Sequence, residues 1–134
     1  MHIIVCLDNR NGMCFGGRRQ SMDRAVRQDM LNCYAPILTN SYGAGPFREG
    51  ECVIDENYLS HAQTGDSCFV ENTPVTAFME NAEMITVYRW NRDYPADLHF
   101  PSLEGYQCVE RREIAGFSHP SITKEVYTQC GHIK

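Results

Sequence analysis

Ile3-Ile4-Val5-Cys6-Leu7 is an unbroken apolar run that ends at Asp8-Asn9. Successive residues of a strand point to opposite faces, so such a run is stable as a strand only where both faces are covered. It is too short for a helix of ordinary length, and residues 2–7 are therefore expected to form an inner strand of a sandwiched sheet. It is also the longest apolar stretch of the 134 residues, well short of the roughly 20 that span a bilayer. His2 opens this run directly, with no charged segment and apolar stretch ahead of a cleavage site, so no secretory leader is expected.

The order of the following segments sets the fold class. Asn11-Gly12-Met13-Cys14-Phe15-Gly16-Gly17 carries three glycines and reads as an irregular, mobile loop. Ser21 is expected to cap a helix from Met22, in which Met22, Ala25, Val26, Met30 and Leu31 recur at helical spacing, with Arg24, Arg27 and Gln28 outside. Ile37-Leu38-Thr39, Cys52-Val53-Ile54 and Ser67-Cys68-Phe69-Val70 are short strand patterns, the second expected to be buried like the first. Tyr42 to Pro46 is turn-rich, and Asn57 to Ala62 holds one or two helical turns. Pro74 suits the first turn of a helix to about Asn81, with Val75, Phe78 and Met79 inward. Glu83 to Tyr88 is a further strand. Tyr106 to Ile114 and Thr123 to Thr128 alternate in type around Gly116-Phe117-Ser118-His119-Pro120, as a hairpin does. Strands separated by helices imply a parallel sheet, and the late pair adds antiparallel strands at its edge. Residues 1–134 are expected to form one α/β domain with a mixed, mostly parallel sheet.

Composition narrows function by exclusion. Twelve basic and 17 acidic side chains give a net charge of −5, which argues against nonspecific nucleic-acid binding. Seven cysteines without a Cys-x-x-Cys pair, most within apolar runs, read as buried structural thiols of a reduced, cytoplasmic protein. His2, His61, His99, His119 and His132 show no metal-ligand spacing, and neither Gly-x-x-x-x-Gly-Lys-Ser/Thr nor Gly-x-Ser-x-Gly occurs, so no metal centre, P-loop or nucleophile elbow is expected. His99 and His119, each beside a proline-containing loop, read as loop hydrogen-bonders rather than bases.

Two segments carry candidate binding chemistry. In Gly16-Gly17-Arg18-Arg19-Gln20-Ser21, open backbone N–H groups, two guanidinium forks and a following helix start suit an anion such as phosphate or carboxylate, against the alternative of a solvated surface loop. In Tyr88-Arg89-Trp90-Asn91-Arg92, the single tryptophan between arginines suits a stacked planar ring, against the alternative of a core lid.

The segment order resembles the dihydrofolate reductase family over nearly the whole chain. A buried first strand runs into a glycine-containing loop and a helix; Phe78 to Tyr88 resembles the family's late helix and strand, and Ala96-Asp97-Leu98-His99-Phe100-Pro101 its Asp-x-x-Phe-Pro signature. The resemblance implies that fold, an NADPH crevice, and a substrate-binding acid early in the first helix. Asp23 matches that acid better by position than Asp29, and its competing role is a helix-start acid. Tyr88 stands where the family has a threonine. The cofactor features depart: Val70-Glu71-Asn72-Thr73-Pro74 replaces adjacent glycines, Thr39-Asn40-Ser41-Tyr42 lacks the expected cation, and Asp55-Glu56 stand where small polar residues meet a phosphate. NADPH binding in the family manner is therefore disfavoured. Short bacterial proteins with this opening loop and Tyr88–Arg92 segment carry the label ribonuclease Z, whose metal-ligand cluster this sequence lacks.

The expected function is thus a dihydrofolate-reductase-like protein with a degenerate NADPH site. It would bind a small planar or anionic ligand through Arg18, Arg19, Asp23, Tyr88 and Trp90, with Asp23 the only candidate for catalysis. Competing expectations are a reductase with an altered NAD(P)H pose, an RNA-binding or RNA-processing protein using the arginine segments, and a homodimer built on sheet edges or an exposed Trp90.

Overall fold

The computed structural model describes residues 1–130. Among the described residues, ten strands, three α-helices and one 3-10 helix follow one another. The central strand β1 (His2–Leu7) lies between two parallel neighbours, β6 (Ser67–Val70) and β7 (Met84–Arg89). Beyond β6 come β4 (Ile37–Thr39) and the edge strand β5 (Cys52–Ile54), both parallel. Beyond β7, the hairpin of β9 (Tyr106–Ile114) and β10 (Ile122–Gln129) adds two antiparallel partners, for the order β5-β4-β6-β1-β7-β10-β9. This is the expected mixed sheet.

Alternation along β1 sorts the core into two layers. Ile3, Val5 and Leu7 face one side with Cys68, Val70, Ile85, Val87 and Phe100. Ile4 faces the other, with Phe69, Tyr88, Trp90, Ile122 and the Val26 and Met30 stripe of α1 (Arg24–Tyr34). Both faces are covered, as an apolar run without alternation requires.

Several local expectations change. Residues 11–17 are largely ordered as strand. β2 (Gly12–Phe15) turns through Gly16 (φ 59°) and Gly17 (φ 76°) onto β3 (Arg18–Arg19), and β8 (Leu98–His99) completes a small second sheet. Glycine adopts this left-handed backbone without steric cost, so the pair closes a hairpin instead of loosening a loop. The cap of α1 is Asp23, not Ser21: its carboxylate accepts from the Ala25 amide at 2.9 Å, and the helix starts at Arg24. Cys52–Ile54 is a strand, but an edge one paired on one side by β4, and its Val53 and Ile54 are exposed. Residues 76–81 form a 3-10 helix, with Val75 buried just before it and Phe78 and Met79 partly buried. Short helices α2 (Ser41–Ala44) and α3 (Tyr58–His61) fill the turn-rich connections. Only Cys14 and Cys68 of the seven free thiols are fully buried.

Candidate functional site

The chain leaves β1 toward β4 on one side and later crosses from β6 to β7 on the other, so strand order reverses between β1 and β6. In open α/β sheets the crevice outside the strands' carboxyl ends at such a point is where ligands sit. Here the chain's own side chains occupy it.

The β2–β3 hairpin lies across this crevice. Arg19 sends a two-pronged guanidinium onto Glu71 at the end of β6, with Nε at 2.8 Å and Nη2 at 2.9 Å. Nη2 also donates to the Tyr42 carbonyl at 3.0 Å, the guanidinium lies 4.4 Å from the Tyr42 ring centre, and the Arg19 amide donates to the Tyr42 hydroxyl at 2.9 Å. Burial lifts the Glu71 carboxyl above its ordinary value although the Arg19 fork opposes the shift. Asn72 donates to the Gly17 carbonyl at 3.2 Å, and Gln20 to Asp8 at 3.1 Å. Asp8, at the end of β1, also accepts from the amides of Arg10, Gly12 and Tyr94. The start of α2 is filled in the same way: Asn40 accepts from the Gly43 amide, and Glu56 accepts from the Ser41 amide and hydroxyl.

Asp23 anchors a second cluster. Besides capping α1, its carboxylate accepts from the amides of Phe117 (3.0 Å), Ser118 (2.8 Å) and His119 (3.1 Å) in the β9–β10 loop. Gly116 permits this approach, since a Cβ there would come within 2.7 Å of the Asp23 carboxylate. His119 Nδ1 lies 3.2 Å from the same oxygen, so this nitrogen carries the proton and donates. Nε2 then accepts from Tyr94 (3.0 Å) and Ser21 (3.3 Å). The imidazole stacks on Trp90 with ring centres 4.5 Å apart. Burial alone would raise the Asp23 carboxyl, but the donors from Phe117, Ala25, Ser118 and His119 outweigh it and hold the group far below the ordinary carboxylate range.

A third cluster joins α1 to the sheet. Tyr88, Lys124 and Arg112 are cross-strand neighbours on β7, β10 and β9. All three converge on Asp29, from the Tyr88 hydroxyl at 2.6 Å, Lys124 Nζ at 2.8 Å and Arg112 Nη2 at 2.6 Å. Burial would raise the Asp29 carboxyl; these donors bring it below its usual value. Next to this row, His2 Nε2 lies 2.7 Å from the Thr86 hydroxyl, which donates to Tyr34.

The residues expected to form one binding site thus occupy different places. Arg18 is exposed on the hairpin, Arg19 is on Glu71, Asp23 and Trp90 share His119, and Tyr88 is on Asp29. Trp90 is buried, so it offers no exposed ring to a second copy. Asp29, not Asp23, meets the Tyr88 hydroxyl. Lys124 and Arg112 carried no signal in the sequence, since a charged residue in an alternating strand reads as outward. Asp8 did carry one: an aspartate two and four residues before the amides it accepts is a turn pattern. Among the described residues no group of three or more His, Cys, Asp or Glu is placed to hold a metal ion.

No family model matches this chain, and no curated protein matches it in sequence. Among solved structures, the dihydrofolate reductase from Enterococcus faecalis, complexed with NADP(H) and RAB-propyl, is similar with a TM-score of 0.71 over 97% of this chain and 96% of that one. Sequence identity is 8%, so the likeness establishes a dihydrofolate-reductase-like fold and nothing about activity. The comparisons bring no support for a ribonuclease Z label.

Proposed function

We propose that this chain is a dihydrofolate-reductase-like binding protein with a degenerate dinucleotide site, which takes a small anionic, planar ligand at Arg18 and Arg19. The Arg19–Glu71 pair across the crevice is the observation that carries this reading. A dinucleotide needs room at the strand ends and donors for its phosphates. In this chain Glu71 and Glu56 bring negative charge there, Asn40 and Glu56 already take the amides at the start of α2, and a 3-10 helix follows β6 where an α-helix N-terminus would suit a pyrophosphate. These residues do not fit NADPH in the family manner.

A small anion has a simpler route. Its carboxylate or phosphate replaces Glu71 on the Arg19 fork, with exposed Arg18 as a second cation beside it. Glu71, already lifted by burial, takes up a proton as it loses its partner, so binding is coupled to proton uptake and tightens as pH falls. The one-domain reading of residues 1–134 and a reducing, cytoplasmic setting belong to this proposal. One sheet runs from His2 to Gln129, the seven cysteines are all free, and no helix among the described residues is long and apolar enough to cross a membrane.

Calorimetric titration with a pterin carboxylate and a nucleoside monophosphate tests it, beside nicotinamide fluorescence with NADPH. The expected result is saturable binding of one of the small anions, weakened about tenfold in Arg18→Ala, tighter at lower pH, and no nicotinamide quenching. Saturable quenching together with hydride transfer to a pterin or flavin would instead establish a reductase with an altered cofactor pose. Failure of both anions to bind removes the proposal.

A further inference from the structure

Ser21, His119 and Asp23 come together from the approach to α1 and the β9–β10 loop, in the relation of nucleophile, base and orienting carboxylate. The Ser21 hydroxyl lies 3.3 Å from His119 Nε2, and His119 Nδ1 lies 3.2 Å from the Asp23 carboxylate. Such a constellation is recognised by geometry and role, not by a sequence motif or fold. The ring cannot easily turn away: it is buried, stacked on Trp90, and its own backbone amide is bound to Asp23. Asp23 is likewise buried and fixed by the Phe117 and Ser118 amides, while Ser21 remains partly exposed. The Tyr94 hydroxyl donates to the same Nε2 at 3.0 Å, a second donor on the base beside Ser21. Nearby, Arg92 Nη2 reaches the Ser118 carbonyl at 3.4 Å and the Arg24 guanidinium lies 4.8 Å from the centre of the exposed Phe117 ring. Neither arginine is paired with a carboxylate among the described residues.

We infer that Ser21, His119 and Asp23 form a serine acyl-transfer site for a small carboxylic ester bearing negative charge. Ser21 Oγ attacks the ester carbonyl and its proton passes to His119 Nε2. The C–O bond to the alcohol breaks, and Nε2 returns that proton to the departing alkoxide. Water then repeats the sequence on the acyl-serine, giving the carboxylic acid and free Ser21, so no oxidant, reductant or further reactant is needed. Asp23 is a positioning residue: it fixes the imidazole tautomer and faces the charge that develops on the ring. Tyr94 turns from Nε2 to the oxyanion, and Arg24 and Arg92 favour an anionic substrate. The constellation is independent of Arg18, Arg19 and Glu71, so it does not rest on the binding function proposed above.

The test is labelling of the intact protein with a fluorophosphonate, read by peptide mass spectrometry, beside hydrolysis of p-nitrophenyl acetate and the anionic p-nitrophenyl succinate. Ser21 is expected to carry the label. Ser21→Ala, at a partly exposed position outside α1, should keep the wild-type circular dichroism and lose about 10³-fold in esterase rate. Arg92→Ala should raise KM for the succinate ester severalfold more than KM for the acetate. Absence of label on folded protein, label on another residue, or an esterase rate unchanged in Ser21→Ala would overturn the assignment. Small-anion binding in Ser21→Ala reports separately on the Arg18–Arg19 site.

Discussion

Asp23 shows how much one carboxylate can organise. It ends the irregular stretch before α1, sets the first residue of that helix, and gathers three consecutive amides of a loop more than ninety residues away in sequence. Asp23→Ala removes a cap worth about 1 kcal/mol and strands buried donors at about 1–3 kcal/mol each, so a loss of about 3 kcal/mol or more is expected in urea denaturation. His2 makes a pH prediction. Burial, then Lys124 and the N-terminal ammonium, lower its pKa from 6.5 to about 4, with Glu83 opposing. Between those values the unfolded chain binds a proton that the folded chain does not, so stability falls as pH drops from 6.5 toward 4, by on the order of 3 kcal/mol. His2→Gln keeps a polar partner for Thr86 without the titration. Equilibrium unfolding measured across that window should be flatter in the variant.

Among the elements, the β2–β3 hairpin depends most on a distant contact. Its turn glycines are visible in the sequence, yet glycine-rich segments read equally well as loose loops. Arg19 on Glu71 and Asn72 on Gly17 hold this one in place, and those partners lie more than fifty residues away. Arg19→Ala leaves Glu71 buried without its cation. A loss of about 2 kcal/mol is expected, below the cost for a fully buried pair because Arg19 is partly exposed. The deficit should shrink in mildly acidic solution as Glu71 takes up a proton, and amide exchange should quicken across residues 12–19. Strand β5 teaches the complementary lesson. Its apolar triplet announces a strand correctly, but whether a strand is central or marginal depends on what lies beside it, and β5 stands at the sheet edge with Val53 and Ile54 exposed.

For the molecule as a whole, the two-layer core and sheet order predict a gradient of stability. β1 is paired on both sides and carries Ile3, Ile4, Val5 and Leu7 without exposure, so its amides and those of the inner strands β6 and β7 should exchange slowest. β5 and the single-turn α3 should exchange fastest among the described elements; uniform protection across β5 and β1 would contradict this layering. Much of that architecture can be read from residue order alone. The buried first strand, the parallel sheet and the antiparallel tail rest on hydrophobic period and turn chemistry, which act over a few neighbouring residues, while the resemblance to dihydrofolate reductase is carried by segment order and short motifs. Partnership among charges needed coordinates. Arg19 with Glu71, Asp23 with His119 and Asp29 with Lys124 meet across 52, 96 and 95 residues, and at such separations a chain's local pattern contains no distance. Burial then decides what each group does, because desolvation and donor count together set whether a carboxylate is a surface charge, a clamp or part of a reacting set.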